Sequence, residues 1–173
     1  AVVGPEVTSL RLAADNSGCI SNYGDLFIVN SELTGWNTSV DTAAFFENKE
    51  TFRPYVTTWT GSKTYIVGST VTHLGYDSKK AYGLSFSTST EATLEDIADA
   101  EDPYTFSVDI DQWPMGWVSH NTISDNYMAF YSYEAMDVAI VANTITDNIL
   151  YGLDPHDRST RLLMADNWIS GTL

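Results

Sequence analysis

The sequence predicts an all-β fold, namely a right-handed parallel β-helix of about six to seven turns. Three observations predict it: short runs of Val, Ile, Thr and Tyr, turn-forming Asn, Asp, Gly and Ser between these runs, and a repeat of 22 to 24 residues. The runs are typical of strands, and no helical periodicity passes through them. Strands this short cannot bury a core within one repeat, so neighbouring repeats must stack as a solenoid.

The repeat is an apolar run, then Asn or Ser, then one spacer residue and another apolar residue. It occurs in FIVNSEL (27–33), YIVGSTV (65–71), GWVSHNTI (116–123), AIVANTI (139–145) and LLMADNWI (162–169). Aligned on Ser31, Ser69, Asn121, Asn143 and Asn167, the intervals are 38, 52, 22 and 24 residues. We expect 38 to be one repeat with an insertion and 52 to be about two repeats. We also expect the asparagines to form a ladder whose amides hydrogen-bond along the stack.

One stretch departs from the repeat, and we expect it to be an acidic insertion at 87–112 within a single domain that spans 1–173. Six acidic residues lie between Glu91 and Asp102, and Thr93 begins a pattern typical of a short capped helix. The insertion is predicted to be a solvated loop with one helical turn. A calcium site is the alternative, although the alternating acids and Gly of a known calcium loop are missing. Otherwise no cofactor is predicted.

The charge composition limits the partners, because 23 Asp and Glu stand against eight Lys and Arg, for a formal net charge of −15. Nucleic acid and anionic membrane surfaces are disfavoured, since both require a basic footprint. A polyanionic substrate would require the few cations to be gathered in one place. No apolar run approaches the roughly 20 residues that span a bilayer. The opening AVVGPEV has neither a Met nor the shape of a signal peptide, so we expect a processed or excised segment.

The stretch YGLDPHDRSTRL (151–162) concentrates residue types that can do chemistry. On local grounds the signal is weak, because Asp-Pro favours turns and a surface His between acids is usually only solvated. The three His are also too scattered to predict a zinc site. His73 and His120 are expected to be turn or core residues.

The wider context resembles a known family. YGLDPHDRS followed by LLMADN resembles the signature of the mannuronan C5-epimerases. Further segments resemble the periplasmic and algal members in the family's order: 61–87 (GSKTYIVGSTVTHLGYDSKKAYGLSFS), 113–126 (WPMGWVSHNTISDN) and 130–159 (FYSYEAMDVAIVANTITDNILYGLDPHDRS). The resemblance covers roughly residues 60–173. It implies a secreted, extracellular or periplasmic parallel β-helix enzyme that converts β-D-mannuronate to α-L-guluronate within alginate, an anionic polysaccharide.

The resemblance also implies roles for the residues of the DPHD motif. Epimerisation at C5 requires neutralisation of the C6 carboxylate, a base on one face of the sugar and an acid on the other. His156 is the expected base and Tyr151 a candidate acid on the opposite face. Asp154 is expected to hydrogen-bond the substrate carboxylate or to orient His156. Asp157 is expected to be a supporting or turn residue.

Further residues are candidates for substrate binding. The cations are expected to cluster on one face near Asp154 and to contact uronate carboxylates, and the tyrosines to stack on sugar rings: Lys63, Lys79, Lys80, Arg158 and Arg161, with Tyr131 and Tyr133. In the family an Arg one repeat or more beyond DPHD neutralises the substrate, whereas this chain ends 17 residues after His156. We therefore expect a C-terminally truncated epimerase core. Ala129 stands where the family pattern has Gly and is expected to narrow the floor of the groove.

Two other functions fit the same sequence. A polysaccharide lyase of the same fold would use the same carboxylate neutralisation and proton abstraction, and would then expel the C4 oxygen. A non-catalytic β-helix would instead bind glycan, or assemble end to end through its exposed C-terminal edge.

Overall fold

The computed structural model describes residues 1–4, 6–88 and 110–172, with only the backbone of Ile110. The strands of successive turns stack along one axis and form three parallel sheets, which confirms the parallel β-helix. The expectations for the acidic stretch, namely the helical turn at Thr93 and the calcium alternative, lie almost wholly outside the described residues.

Each turn of the solenoid contributes one strand to each sheet. The first sheet contains β1 (Val2–Val3), β4 (Asp25–Val29), β8 (Lys63–Val67), β11 (Met115–Ser119), β14 (Val138–Val141) and β17 (Leu163–Ala165). The second contains β2 (Ser9–Ala13), β5 (Glu32–Asn37), β9 (Thr70–Thr72), β12 (Thr122–Ser124), β15 (Thr144–Thr146) and β18 (Trp168–Ser170). The third contains β3 (Ile20–Asn22), β7 (Val56–Thr58), β10 (Gly83–Ser87), β13 (Met128–Tyr133) and β16 (Leu153–His156).

Among the described residues, one further short strand and two 3-10 turns stand apart from the main strand order of the three sheets. The strand β6 (Thr42–Ala43) pairs antiparallel with β5. The 3-10 turns span Ala14–Asn16 and Ile110–Gln112.

The register corrects one of the expected repeat lengths. Strand β8 pairs directly with β11, with Ile66 opposite Val118, so the 52-residue interval from Ser69 to Asn121 is one turn and not two. Most of its extra residues lie between β10 and β11, and the rest lie between β9 and β10. The 38-residue interval is one turn with an insertion, as expected, because β4 pairs with β8. The described residues therefore form five complete turns and the first two strands of a sixth.

The core is a set of apolar columns that run along the stack. Side chains alternate between the two faces of each strand, so every second residue points inward and meets its equivalent in the next turn. The first sheet contributes Ile28, Ile66, Val118 and Ile140, the second Leu33, Val71, Ile123 and Ile145, and the third Leu84, Phe86 and Phe130. Phe86 and Phe130 pack with their ring centroids 5.7 Å apart. Because the core is continuous, no single turn is stable alone.

The asparagine ladder forms at the corner between the first and second sheets. Asn121 Nδ2 donates to Asn143 Oδ1 (2.9 Å), and Asn143 Nδ2 donates to Asn167 Oδ1 (2.9 Å). The same oxygens accept the backbone N–H groups of the preceding turn, at 3.0 Å for Asn121 and 3.0 Å for Asn143. Ser69 and Ser31 continue the column, since Ser69 N donates to Asn121 Oδ1 (2.8 Å) and Ser31 N to Ser69 Oγ (3.2 Å). The ladder thus provides hydrogen-bond acceptors for buried backbone N–H groups that lie at the corner and have no partner within the sheets.

A second ladder, which the repeat analysis missed, forms at the corner between the second and third sheets. Asn126 Nδ2 donates to Asn148 Oδ1 (3.2 Å), and Leu74 N donates to Asn126 Oδ1 (2.9 Å). The signal was present as an Asp-Asn pair repeated at an interval of 22 residues.

His73 precedes this column with φ +58° and His120 precedes the first ladder with φ +56°, so both are turn residues in the left-handed region, as expected.

We predict that Asn143→Ala destabilises the fold by about 2–4 kcal/mol, because it leaves the buried amide groups of Asn121 without an acceptor. The midpoint of thermal unfolding, followed by circular dichroism, should fall by roughly 5–10 °C. The control is Asn16→Ala on an exposed 3-10 turn, which should stay within about 0.5 kcal/mol of the parent. Equal midpoints for the two variants would contradict a stabilising role for the ladder.

Candidate active site

The DPHD motif forms most of strand β16 on the third sheet. The strand pairs in parallel with β13, so that Asp154 lies opposite Tyr131 and His156 opposite Tyr133. Leu153 packs against the core. Because side chains alternate along a strand, Asp154 and His156 share the outer face with the two tyrosines. The register therefore brings four of the predicted site residues together.

His156 is exposed and has two close neighbours. Its Nδ1 lies 3.1 Å from Oδ2 of Asp157, and its ring centroid lies 5.9 Å from that of Tyr131. A carboxylate at Nδ1 favours the tautomer that carries the proton there. Nε2 then keeps its lone pair, which is the state required of a base.

Partial burial changes the acidity of two neighbours of His156. Burial raises the pKa of Asp154, and the proximity of His156 opposes that rise. Burial also holds the pKa of Tyr131 well above its usual range, with a smaller contribution from Tyr82. Asp154 is therefore easier to protonate than an ordinary aspartate, and Tyr131 remains a neutral phenol.

Tyr151 lies at the other end of β16 from His156. Its side chain is 43% exposed, and its carbonyl oxygen accepts a hydrogen bond from Ala129 N (3.0 Å). Tyr151 and His156 are five positions apart, so an extended chain would put their Cα atoms at most roughly 18 Å apart. Asp154 lies between them in the sequence. The expectation that Ala129 narrows the groove floor is wrong, because this side chain is fully buried in the apolar core.

Two of the five predicted cations meet at Tyr133. Lys80 Nζ lies 4.2 Å from the centroid of the Tyr133 ring, and the guanidinium carbon of Arg158 lies 5.8 Å from it. Arg158 Nη2 donates to the Tyr133 hydroxyl (3.1 Å) and also pairs with the carboxylate of Glu134. Lys80 and Arg158 thus approach the tyrosine that lies opposite His156, while Glu134 compensates the charge of Arg158.

The other three cations are not shown at this cluster. Lys63 begins β8 in the first sheet. Arg161 lies just before the first sheet, where its Nε donates to Asp137 Oδ1 (2.7 Å) and this hydrogen bond lowers the pKa of Asp137. Lys79 is exposed in the loop beside Lys80. The expectation of one five-cation cluster near Asp154 is therefore met only by Lys80 and Arg158.

Two loops are anchored over the third sheet by a second apolar cluster, which sequence reasoning missed. Phe46 stacks on Tyr127 (6.0 Å between ring centroids), and Tyr82 contacts both Tyr127 (6.2 Å) and Tyr131 (4.8 Å). Thr57 in β7 donates its hydroxyl to the Lys80 carbonyl (3.2 Å). The loop at 76–82 therefore covers β7, and the side chains of Tyr82 and Lys80 reach the outer face of β13, the strand next to β16. In the sequence, Phe46 lies within the 38-residue interval and the 76–82 loop within the 52-residue interval, so the two lengthened intervals were the signal for these loops.

Within the described residues, no group of three or more His, Cys, Asp or Glu side chains is arranged to hold a metal ion. Among the same residues, no helix has the length and apolar character needed to cross a membrane.

Comparisons with known proteins agree on one group of relatives. The chain is 38% identical over 170 residues to a mannuronan C5-epimerase of Pseudomonas aeruginosa, covering 98% of this chain and 29% of that protein. It is equally identical, over the same length, to mannuronan C5-epimerase AlgG of Azotobacter vinelandii, of which it covers 30%. A crystal structure of the periplasmic alginate epimerase AlgG superposes with a TM-score of 0.81 at 34% identity, over 95% of this chain and 36% of that one. No protein-family model matches. The predicted resemblance is confirmed, and the chain spans about a third or less of the length of its relatives.

We predict that Asp154→Asn stabilises the fold at neutral pH. The pKa of Asp154 is higher in the folded than in the unfolded chain. Above the folded pKa the carboxylate is ionised and therefore opposes folding. Below the unfolded pKa, near 3.9, the carboxyl group is protonated in both states and this penalty disappears. The variant should melt roughly 1–2 °C above the parent at pH 7 and together with it near pH 3.

Asp137→Asn is the control with the opposite sign, because the Arg161 hydrogen bond lowers the pKa of Asp137. That variant should melt below the parent at pH 7. A lower melting temperature for Asp154→Asn at pH 7 would contradict the assigned burial of its carboxylate.

Proposed function

We propose that this chain, which is homologous over nearly its whole length to one segment of the mannuronan C5-epimerases, inverts C5 of β-D-mannuronate residues in alginate. The observation that carries the proposal is the pairing of β13 with β16, which places Asp154 and His156 beside Tyr131 and Tyr133 on one outer face. This face is flanked by the 76–82 loop and by the cations Lys80 and Arg158. An extended anionic polysaccharide would lie in the resulting groove.

His156 is the base in this mechanism. Its Nε2 removes the C5 proton of a mannuronate residue, while Asp157 at Nδ1 stabilises the imidazolium that forms. The electron pair of the broken C–H bond moves into the C6 carboxylate and adds negative charge to its oxygens. Burial makes Asp154 easier to protonate, and once it has taken up a proton it donates a hydrogen bond to one of these oxygens.

Tyr151 is the proposed acid. It lies two residues before β16, on the side away from His156, so a pyranose ring held over Asp154 would have His156 towards one face and Tyr151 towards the other. Transfer of the phenolic proton to C5 from that face gives α-L-guluronate. The tyrosinate then recovers a proton from solvent, and His156 releases the proton it accepted.

Lys80 supplies positive charge for a uronate carboxylate at the groove. Tyr131 is only 8% exposed, so in this scheme it forms the floor of the groove and not a stacking platform. Lys63 and Arg161 lie towards the first sheet and are left out of the scheme. The relatives of known structure are described as periplasmic, which supports a periplasmic or extracellular location for this chain.

We predict that His156→Asn abolishes the formation of guluronate from polymannuronate, measured by proton NMR of the product. His120→Asn is the matched control, because His120 is an exposed turn residue between the first and second sheets and should retain parental activity. Loss of activity in both variants, or in neither, would contradict the assignment of His156.

Product ultraviolet absorbance separates the alternatives. An unsaturated uronate would mean that the chain is a lyase and not an epimerase. A folded parent chain that forms neither product would contradict the proposal and favour a non-catalytic glycan-binding or assembly role.

We predict that Lys80→Gln raises KM for polymannuronate by about 3- to 10-fold, because the variant loses one partly solvated contact between opposite charges. The change in kcat should be smaller. Lys63→Gln changes the charge equally but on the first sheet, so KM should stay within about 2-fold of the parent. The difference between the two variants should shrink with added salt, because salt screens the contact. Equal effects would mean that net charge, and not the position of Lys80, sets the affinity.

A further inference from the structure

Glu134 is a fully buried carboxylate at the end of β13, one residue after Tyr133. Burial of an ionised carboxylate is unfavourable unless it is paired and hydrogen-bonded. Glu134 has partners on both sides along the stack: its Oε1 accepts from Arg158 Nη2 of the following turn, and its Oε2 accepts from the Thr88 hydroxyl at 3.0 Å. The carboxylate thus links the ends of three successive strands of the third sheet.

Arg158 connects this buried charge to the reacting face. It follows His156 by two residues, and its side chain is 18% exposed. The nitrogen that pairs with Glu134 also donates to the Tyr133 hydroxyl at 3.1 Å. Tyr133 lies opposite His156 in the strand register. A guanidinium held by two acceptors has little freedom to swing towards substrate, and its charge is already compensated by a carboxylate.

The backbone at this corner is tied to the same residues. Glu134 N donates to the carbonyl of Asp157 (3.0 Å), and the Ser159 hydroxyl donates to the carbonyl of His156 (2.8 Å). Glu134 and Arg158 both have positive φ, at +48° and +55°. Arg158 lies in the corner after β16, two residues after the proposed base, and the ion pair joins this corner to the equivalent corner after β13, where Glu134 lies.

We propose that Glu134 is a positioning residue for the reaction: its buried carboxylate fixes Arg158, which in turn fixes the Tyr133 hydroxyl and the strand end that carries His156. This inference rests on the proposed function. It reassigns Arg158 from substrate contact to internal support, and it leaves Lys80 as the cation of this cluster that meets substrate.

The first test is kinetic. Glu134→Gln keeps the shape and a hydrogen-bonding group for Thr88 but removes the charge that holds Arg158. We expect kcat for guluronate formation to fall about 10-fold or more, because small misplacements of reacting groups are costly, with KM within about 2-fold. Arg158→Gln should behave alike, and the double variant should lose no more than the worse single variant, since both act through one pair.

The control is Asp137→Asn, which breaks the exposed Asp137–Arg161 pair. Both pairs join residues 24 positions apart on consecutive turns, but only the first contacts Tyr133. Parental kcat is expected for the control, and circular dichroism must show that every variant is folded. Parental kcat in Glu134→Gln, or losses that multiply in the double variant, would overturn the proposal. A raised KM without loss of kcat in Arg158→Gln would also overturn it, by showing direct substrate contact.

A second test needs no turnover and so separates this inference from the proposed function. Burial and then Glu134 raise the pKa of Tyr133, whereas Arg158 lowers it. Within the part of the chain that the structure describes, the other charged or titratable groups near this ring are Lys80, Asp157, His156 and Tyr131.

In Glu134→Gln the pKa of Tyr133 should fall, measured by NMR titration of the tyrosine ring carbons and assigned with Tyr133→Phe. Asp137→Asn should leave that titration unchanged. An unchanged titration in Glu134→Gln overturns the inference even if the parent chain is inactive.

Discussion

The parallel register between successive turns is the constraint on which the rest of this structure depends. Each strand pairs with its equivalent one turn away, so a residue position in one turn fixes which side chains stand beside it in the next. Two asparagine ladders hold that register at corners where the backbone leaves the sheets. A slip of one residue would turn Asp154 and His156 inward and expose Leu153. The candidate site is therefore a consequence of the same hydrogen bonds that stabilise the solenoid.

Two cations lie close together at the candidate site, although the chain as a whole is strongly acidic. The chain carries a formal charge of −15, yet Lys80 and Arg158 approach the same tyrosine ring next to the proposed base. They come from distant parts of the sequence, one from a loop over the third sheet and the other from the corner after β16. A long-range field of this sign would repel an anionic polysaccharide, so binding relies on short-range contacts within the groove.

The buried ion pair of Glu134 and Arg158 shows how the fold and the site share residues. Two charges buried in low dielectric rarely add much stability over an apolar pair, but removal of one leaves the other unpaired. Such a pair is better suited to fixing geometry than to stabilising the fold. Its location, between Thr88 on one side and Tyr133 on the other, places that fixed geometry one strand away from His156.

The sequence by itself determined the solenoid and the first asparagine ladder, because both follow from a repeated pattern of an apolar run followed by Asn or Ser. That the DPHD motif lies on strand β16 was decided by the pairing with β13, since Asp-Pro locally favours turns. The sequence did not determine the length of the turn between Ser69 and Asn121, since an insertion of roughly one repeat in length mimics an extra turn. Nor did it determine which cations meet, because Lys80 reaches the ring of Tyr133 from a loop that is held in place by the packing of Tyr82 on Tyr127 and Tyr131. Contacts between an insertion and a sheet have no period, so only the tertiary structure could decide them.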